Sequence, residues 1–485
     1  MLFLKPDMDT IFAARKNILF NIGAIVVIAA LFAARLPSIH VPYFWDELGV
    51  YAPGSLHMKD SGTIGILPAD LDPLYSRGHP LLFYFFAASF YKLFGDSLAS
   101  GHIFAILTGC LTLLTFYFFS KKILNPAAAL LATLLLAVQP VFFTMTGVLF
   151  PEMLLTLFVL LAVWGIVQNR WWLYVIGGSL AILVKEPAVV LPLTALTVLF
   201  IDSLRQRDFF TRKRWWLFIL ACVPYLVFGL FLLVQKKQHG WYFFPYHVGF
   251  ISFHLTSFYY GFKRMLGELF IDQGRWLLSI PLFLCLAGFY FFWKQDEKVR
   301  RYLLIVGVFI LFTLLFSCVN FYLSRYLLFV YPLVLLLFAY AALTLAVRIR
   351  KSGYRLAVII LFTVMSFLLS IKSMDTGSFK DTYDMSYVHT VKCVQECIGW
   401  LEQQSWKNTE FRTNFPIFQG LDDKRNGYLV QSDKLPYTTD MEKNTKYIIY
   451  FHLKGEQIPG NISGNKVIRK FDNAHSHIVV YETGE

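Results

Sequence analysis

Long apolar runs, each about 18 residues or a little shorter, alternate with short polar loops through the first three quarters of the chain, the pattern of membrane-crossing helices. The first, residues 17–36, follows Arg15 and Lys16. It exceeds the roughly 7–15 residues of a signal-peptide core and lacks a clear small-x-small cleavage site, so it predicts a span rather than a cleaved leader. Further runs cover 99–120, 126–146, 151–167, 171–184, 187–201, 215–235, 276–293, 302–319, 325–347 and 356–371. Residues 79–94, HPLLFYFFAASFYKLF, read equally as a span or as an amphipathic helix lying along the surface.

Charge decides between those readings. If 79–94 does not cross, then Lys121/Lys122, the cluster Arg205–Arg214, the stretch 294–301 and the cluster Arg348–Arg355 all share the side of Arg15 and Lys16, as the positive-inside rule requires. If it crosses, all of them face outward. The expectation is therefore a juxtamembrane helix at 79–94 and about eleven spans, with the N-terminus cytoplasmic and the C-terminus extracytoplasmic. The outer side then receives the first loop 37–98, the turn around Glu152, the Lys185-Glu186 link, an aromatic loop 236–275, the turn 320–324 and everything after residue 371.

Composition agrees: 57% of the 485 residues are hydrophobic and only 15% charged, with 49 Phe, more apolar surface than a soluble core of this length could hide. A net charge of +13 resembles a nucleic-acid signal until its placement in short loops between apolar runs is seen; it orients helices, and no nucleic-acid partner is expected. Four of six cysteines lie inside apolar runs as small hydrophobes. Cys393 and Cys397 stand four apart in a helical pattern, a spacing poorly suited to a disulfide and unaccompanied by a second pair for zinc.

From residue 372 the composition becomes that of a soluble domain. A helix pattern over 387–404 precedes strand-like runs at 428–430, 446–451 and 467–481, the last a hairpin turning at Asp472-Asn473. The predicted architecture is thus a polytopic α-helical membrane domain, 1–371, with a small extracytoplasmic α/β domain, 372–485.

The charged residues at span ends are the candidates for chemistry. Asp46 and Glu47 follow Tyr43-Phe44-Trp45 in the first outer loop, which closes with Arg77-Gly78-His79-Pro80. Two acids beside a span can simply cap a helix; a shielded carboxylate can equally act as a general base, with His or Arg stabilising a departing phosphate. Glu152 opens a span after Pro151. Lys185 and Glu186 interrupt an apolar stretch, where two charges either mark an interfacial turn or line a polar cavity. Arg325, next to Tyr326, begins a span from the outer side, where snorkelling accounts for it equally well. Tyr242 and His247 in the aromatic loop are further candidate substrate contacts. Three histidines there, His239, His247 and His254, match no metal signature in their spacing.

The ordered set Trp45-Asp46-Glu47, Gly78-His79-Pro80-Leu81-Leu82, Leu93-Phe94-Gly95, Phe150-Pro151-Glu152-Met153, Lys185-Glu186-Pro187 and Ser324-Arg325-Tyr326 resembles the polytopic glycosyltransferases of the C-type fold. The branch it resembles is that of bacterial relatives of protein O-mannosyltransferases and of the lipid A aminoarabinose transferase. The resemblance implies transfer of a sugar, with inversion, from a polyprenyl-phosphate donor to an extracytoplasmic lipid, glycan or protein acceptor, in a bacterial inner membrane. It implies Asp46 as general base with Glu47 beside it, Glu152 as second acid, and His79 at a phosphate-facing position where several relatives carry Lys. Lys185 and Arg325 are the remaining phosphate partners. It requires no cofactor and leaves a divalent metal open. Pro53-Gly54 predicts a short or kinked helix after the acidic pair.

A transporter or lipid flippase is the rival class, but no run carries Asp, Glu, Lys or Arg at its centre, where transporters commonly bury them. The charge pattern makes a direct prediction. Accessibility labelling of single cysteines introduced at positions 40 and 186 should place both on the face opposite the N-terminus; labelling from opposite faces would break up the site.

Overall fold

A computed structural model describes residues 8–209, 211–288, 297–375, 384–440 and 442–484. The apolar runs become helices whose starts are set by short polar side chains. Ser97, Asn125 and Thr211 accept hydrogen bonds from the amides of Ser100, Ala128 and Arg214, capping the helices Leu98–Ile123, Pro126–Ala137 and Arg212–His239. Among the described residues, six helices are long and apolar enough to cross a membrane, and Leu255–Phe270 with Arg275–Ala287, bent by 94°, adds one broken span or a re-entrant pair. Five shorter apolar helices of 10–17 residues accompany them. The run expected over 126–146 breaks at Val138-Gln139 before Pro140–Met145. That expected over 325–347 opens with a 3₁₀ turn, Ser324–Leu327, ahead of Tyr331–Ala346. The end of the 276–293 run and the start of the 294–301 basic stretch lie outside the described residues.

Leu82–Phe94 is a helix, but its 13 residues rise only about 20 Å against a hydrocarbon thickness of about 30 Å. It buries Leu82, Phe83, Tyr84, Ala87, Ala88 and Tyr91. Part of the supposed aromatic loop corrects the sequence expectation: residues Leu255–Phe270 form a helix, burying Met265, Glu268 and Leu269. Its helical spacing of Phe258, Phe262, Met265 and Leu269 is masked in sequence by the aromatics surrounding it.

The tail forms a five-stranded sheet in the order β2-β1-β3-β5-β4, with β1 Phe411–Thr413, β2 Tyr437–Thr438, β3 Tyr447–Leu453, β4 Lys466–Asp472 and β5 Ser476–Glu482. β1 runs parallel to β2 and β3, and β4, β5 and β3 are antiparallel. The expected helix and the hairpin are present, as Tyr387–Leu401 and β4–β5. Residues 428–430, expected as a strand, are not one. The amide of Val430, with those of Gln431 and Ser432 just beyond it, instead donates to the buried Glu402 carboxylate, at 3.0, 2.9 and 2.8 Å, so the end of the run is tied to a side chain and not to a neighbouring strand. Cys393 and Cys397 are both free thiols, buried in the tail helix.

Tail and bundle share one hydrophobic core, which runs from Phe150 and Val334 to Tyr387, Ile398 and Val480. At its edge, Arg425 reaches Asp60 at 2.8 Å and Asp96 at 3.0 Å, and Lys59 reaches Asp96 at 2.8 Å. Isolated surface pairs contribute little; these share partners as a network. The Lys59 ammonium, with Arg425, holds the Asp96 carboxyl down to about 2. A depressed carboxyl stabilises the contact fully above the ordinary range of about 4, and the contribution is lost as pH falls toward about 2. Arg425→Ala should therefore speed proteolysis between bundle and tail severalfold at neutral pH, with the wild type loosening only on acidification. Unchanged cleavage rules this latch out.

Candidate active site

The acidic pair sits on an unusual turn. Trp45 adopts a left-handed backbone, φ +52°, and Glu47–Tyr51 form a π-helical turn that runs into the α-helix Ala52–Asp60. Pro53 explains the change of pitch. It offers no amide proton to continue the ladder, and the Ala52 amide reaches back five residues to the Glu47 carbonyl. The chain thus stays helical through Pro53-Gly54, with the irregularity displaced into the turn that carries the acids. Gly54 permits the close approach of Tyr84, whose ring would lie 2.6 Å from an added Cβ.

The two acids face different surroundings. Glu47 is buried; its Oε1 accepts from the Leu149 amide at 2.6 Å and pairs with His102 Nε2 at 3.1 Å, while Oε2 accepts from the Phe44 amide at 3.3 Å. Asp46 retains 35% side-chain exposure and is bound by Nη2 of Arg325. Arg325 is fully buried, so it does not snorkel. Its Nε lies 3.4 Å from Glu152 Oε1, and its guanidinium sits 4.5 Å from the centre of the Phe150 ring.

Glu152 lies in the first turn of its helix, started by Pro151, whose missing amide costs nothing there. Lys185 Nζ donates to its Oε1 at 2.6 Å and lies 4.0 Å from the centre of the Tyr326 ring. Lys185 caps the helix Trp171–Val184 in an extended conformation. Lys185 and the next residue reach different partners: Lys185 Glu152, and Glu186 the ring of His79, whose Nδ1 is 2.9 Å away. His79 in turn stacks near His247, with centroids 4.8 Å apart. Burial pushes the His247 imidazole down to about 4, so it is neutral at pH 7.

The structure thus joins Asp46, Glu152, Lys185, Arg325 and Tyr326, with His79, Glu186 and His247 as a flanking group linked through the Lys185-Glu186 step. Arg77 and Gly78 both take left-handed conformations, φ +53° and +73°, in the turn that presents His79. An added Cβ at Gly78 would lie 2.7 Å from Phe244 and 3.0 Å from Trp241, so the aromatic loop closes directly over this turn. Tyr242 is not brought in: it is largely exposed, and Lys236 lies by its ring. Sequence reasoning missed the platform role of Phe150, the Tyr51 ring 6.0 Å from Lys185 Nζ, and the Glu47–His102 pair. Phe150 and Glu47 stood inside motifs of the sequence; Tyr51 and His102 carried no distinguishing signal. Among the described residues, no group of three His, Cys, Asp or Glu converges on a metal position.

Comparison with solved structures decides the fold. ArnT from Cupriavidus metallidurans bound to undecaprenyl phosphate superposes with a TM-score of 0.60 at 14% identity, over 94% of this chain and 97% of that one. The chain has the fold of the C-type glycosyltransferases. The apo form of the same ArnT gives 0.58 at 14% identity, over 96% and 98%. Residues 78–231 match the family model described as dolichyl-phosphate-mannose-protein mannosyltransferase, a stretch that holds His79, Glu152, Lys185 and Glu186. A search of curated protein sequences finds no match. In this C-type bundle, breaking the buried cluster should be costly. Glu152→Gln removes the charged partner of the buried Lys185 and leaves Arg325 with Asp46, and the expected loss is about 3–5 kcal/mol of stability, read as a lowered unfolding temperature in detergent. An unchanged temperature would mean that the pair is not buried as described.

Proposed function

We propose that the protein transfers a sugar from a polyprenyl-phosphate carrier to a hydroxyl of a lipid, glycan or protein acceptor on the extracytoplasmic face, with inversion at the anomeric carbon. The observation that carries this reading is the pairing of a partly exposed carboxylate, Asp46, with the buried guanidinium of Arg325, itself beside Glu152 and Lys185. ArnT, whose fold the chain shares, is described in complex with undecaprenyl phosphate, which supports a carrier of that chemical class.

In this reaction the acceptor oxygen forms a bond to the anomeric carbon as the bond from that carbon to the phosphate oxygen breaks. The electron pair leaves with the polyprenyl phosphate, and the hydroxyl proton passes to the Asp46 carboxylate. Lys185 and Arg325, fixed in place before substrate arrives, stabilise the charge that grows on the phosphate. His79 extends the cationic side when protonated. Glu152 balances the two buried cations in the resting state. Its Oε2 is sealed from solvent and has no hydrogen-bond partner among the described residues. Glu47 touches no reacting group in this scheme. It positions the turn, since one carboxylate ties the residue after Asp46 to the backbone of Leu149, three residues before Glu152.

The test is transfer from a radiolabelled polyprenyl-phosphate sugar by purified wild type and Asp46→Asn. Loss of the base should lower kcat by about 10²–10⁴-fold with donor KM little changed. Full activity in the variant removes Asp46 from the chemistry, and sugar carried across a bilayer without a new glycosidic bond would identify a transporter instead.

A further inference from the structure

The turn that presents Asp46 is not self-supporting. Trp45, immediately before it, holds φ at +52°, a region that bulky L-residues occupy only when their surroundings over-determine it. Those surroundings include the tail domain. Phe415 lies edge-on against the Trp45 ring, with centroids 5.1 Å apart at 79°, and its ring would be 3.4 Å from a Cβ added at Gly49 on the π-helical turn. Upstream, the Tyr43 amide donates to the Asn426 carbonyl at 3.1 Å, and the Tyr428 hydroxyl donates to the Tyr43 carbonyl at 3.0 Å. Both peptide groups of Tyr43 are thereby held by the tail. Phe44 stacks on Tyr387, with centroids 6.0 Å apart at 23°.

We infer that Phe415 is a positioning residue for Asp46: by propping Trp45 in its left-handed conformation, the tail domain aims the Asp46 carboxylate at Arg325. The catalytic half of this inference rests on Asp46 acting as the base. The tail is separated from that aspartate by more than three hundred residues of sequence, yet it supplies one wall of the turn that carries it. Without Phe415 the backbone at Trp45 can relax toward ordinary values, rotating the next side chain away from the guanidinium.

The full-length protein in detergent or nanodiscs tests this with two readouts. Amide hydrogen exchange over residues 43–51 should rise severalfold in Phe415→Ala and remain near wild type in Phe415→Leu, with the helices around Glu152 and Arg325 unchanged. In the transfer assay kcat should fall about ten- to a hundredfold in Phe415→Ala, the scale of a small misplacement of a reacting group, with donor KM preserved and Phe415→Leu restoring much of the rate. Tyr428→Phe, which removes one hydroxyl and keeps the packing, should show a smaller change in the same direction. Unchanged exchange over 43–51 in both Phe415→Ala and Tyr428→Phe overturns the inference, whatever the activity. Raised exchange with wild-type kcat overturns it too, provided Asp46→Asn is inactive. If Asp46→Asn is fully active, the base assignment fails and with it the catalytic half, while the exchange result still decides whether the tail holds the turn.

Discussion

Two carboxylates and two cations brought together at the ends of membrane helices form the constraint on which this structure turns. An unpaired charge removed from water is costly enough that neither Lys185 nor Arg325 could be buried alone. Glu152 answers both, and Asp46 answers Arg325 from the more exposed side. Four segments spread over nearly three hundred residues must therefore converge within a few ångströms. The local devices at each serve that end: a proline-started helix at Glu152, an extended link at Lys185, a 3₁₀ turn at Arg325 and a π-helical turn behind Asp46.

Much of this was legible in sequence, for an identifiable reason. In a chain so apolar, each charge at the end of a run stands out, and Pro151 and Pro187 mark where helices start. Hence the helical membrane bundle stood out in the sequence, as did Asp46, Glu152, Lys185 and Arg325, the charged side chains that the structure brings together. Partnership was not legible. Adjacent acids read alike in sequence, but the irregular turn sends Glu47 inward to the Leu149 amide and Asp46 to Arg325. Arg325 resembled a snorkelling side chain because nothing in Ser-Arg-Tyr reveals burial. The helix Leu255–Phe270 was hidden by aromatics on every side of it, and nothing in residues 428–430 reveals that the amide of Val430 is taken by the side chain of Glu402.

Beyond the helix Ser352–Lys372 the composition becomes more polar, and the tail builds its own sheet. Yet its buried residues join the same core as the bundle, and the meeting point is the loop that carries the acids. A change in composition therefore need not mark the end of one packed core. Polar contacts reinforce the joint from another side, where Arg425 gathers Asp60 and Asp96 from the segment between the helices Met8–Arg35 and Leu98–Ile123.

Charge balance gives the cluster a further consequence in the proposed reaction. A polyprenyl-phosphate sugar is a phosphodiester with one negative charge, and its leaving group is a monoester that approaches two at neutral pH, given a second pKa of about 6. In a partly dry cleft, that extra charge would be expensive if nothing else changed. The base changes at the same moment. As Asp46 takes the acceptor's proton it becomes neutral, and its hold on Arg325 weakens just as the phosphate gains the charge that the guanidinium can meet. The total charge of the site stays constant while the counter-ion of Arg325 passes from carboxylate to phosphate. In the proposed reaction that exchange needs Asp46 and the phosphate to share one cation, so the proposal rests on the Asp46–Arg325 contact more than on the acidity of either acid alone.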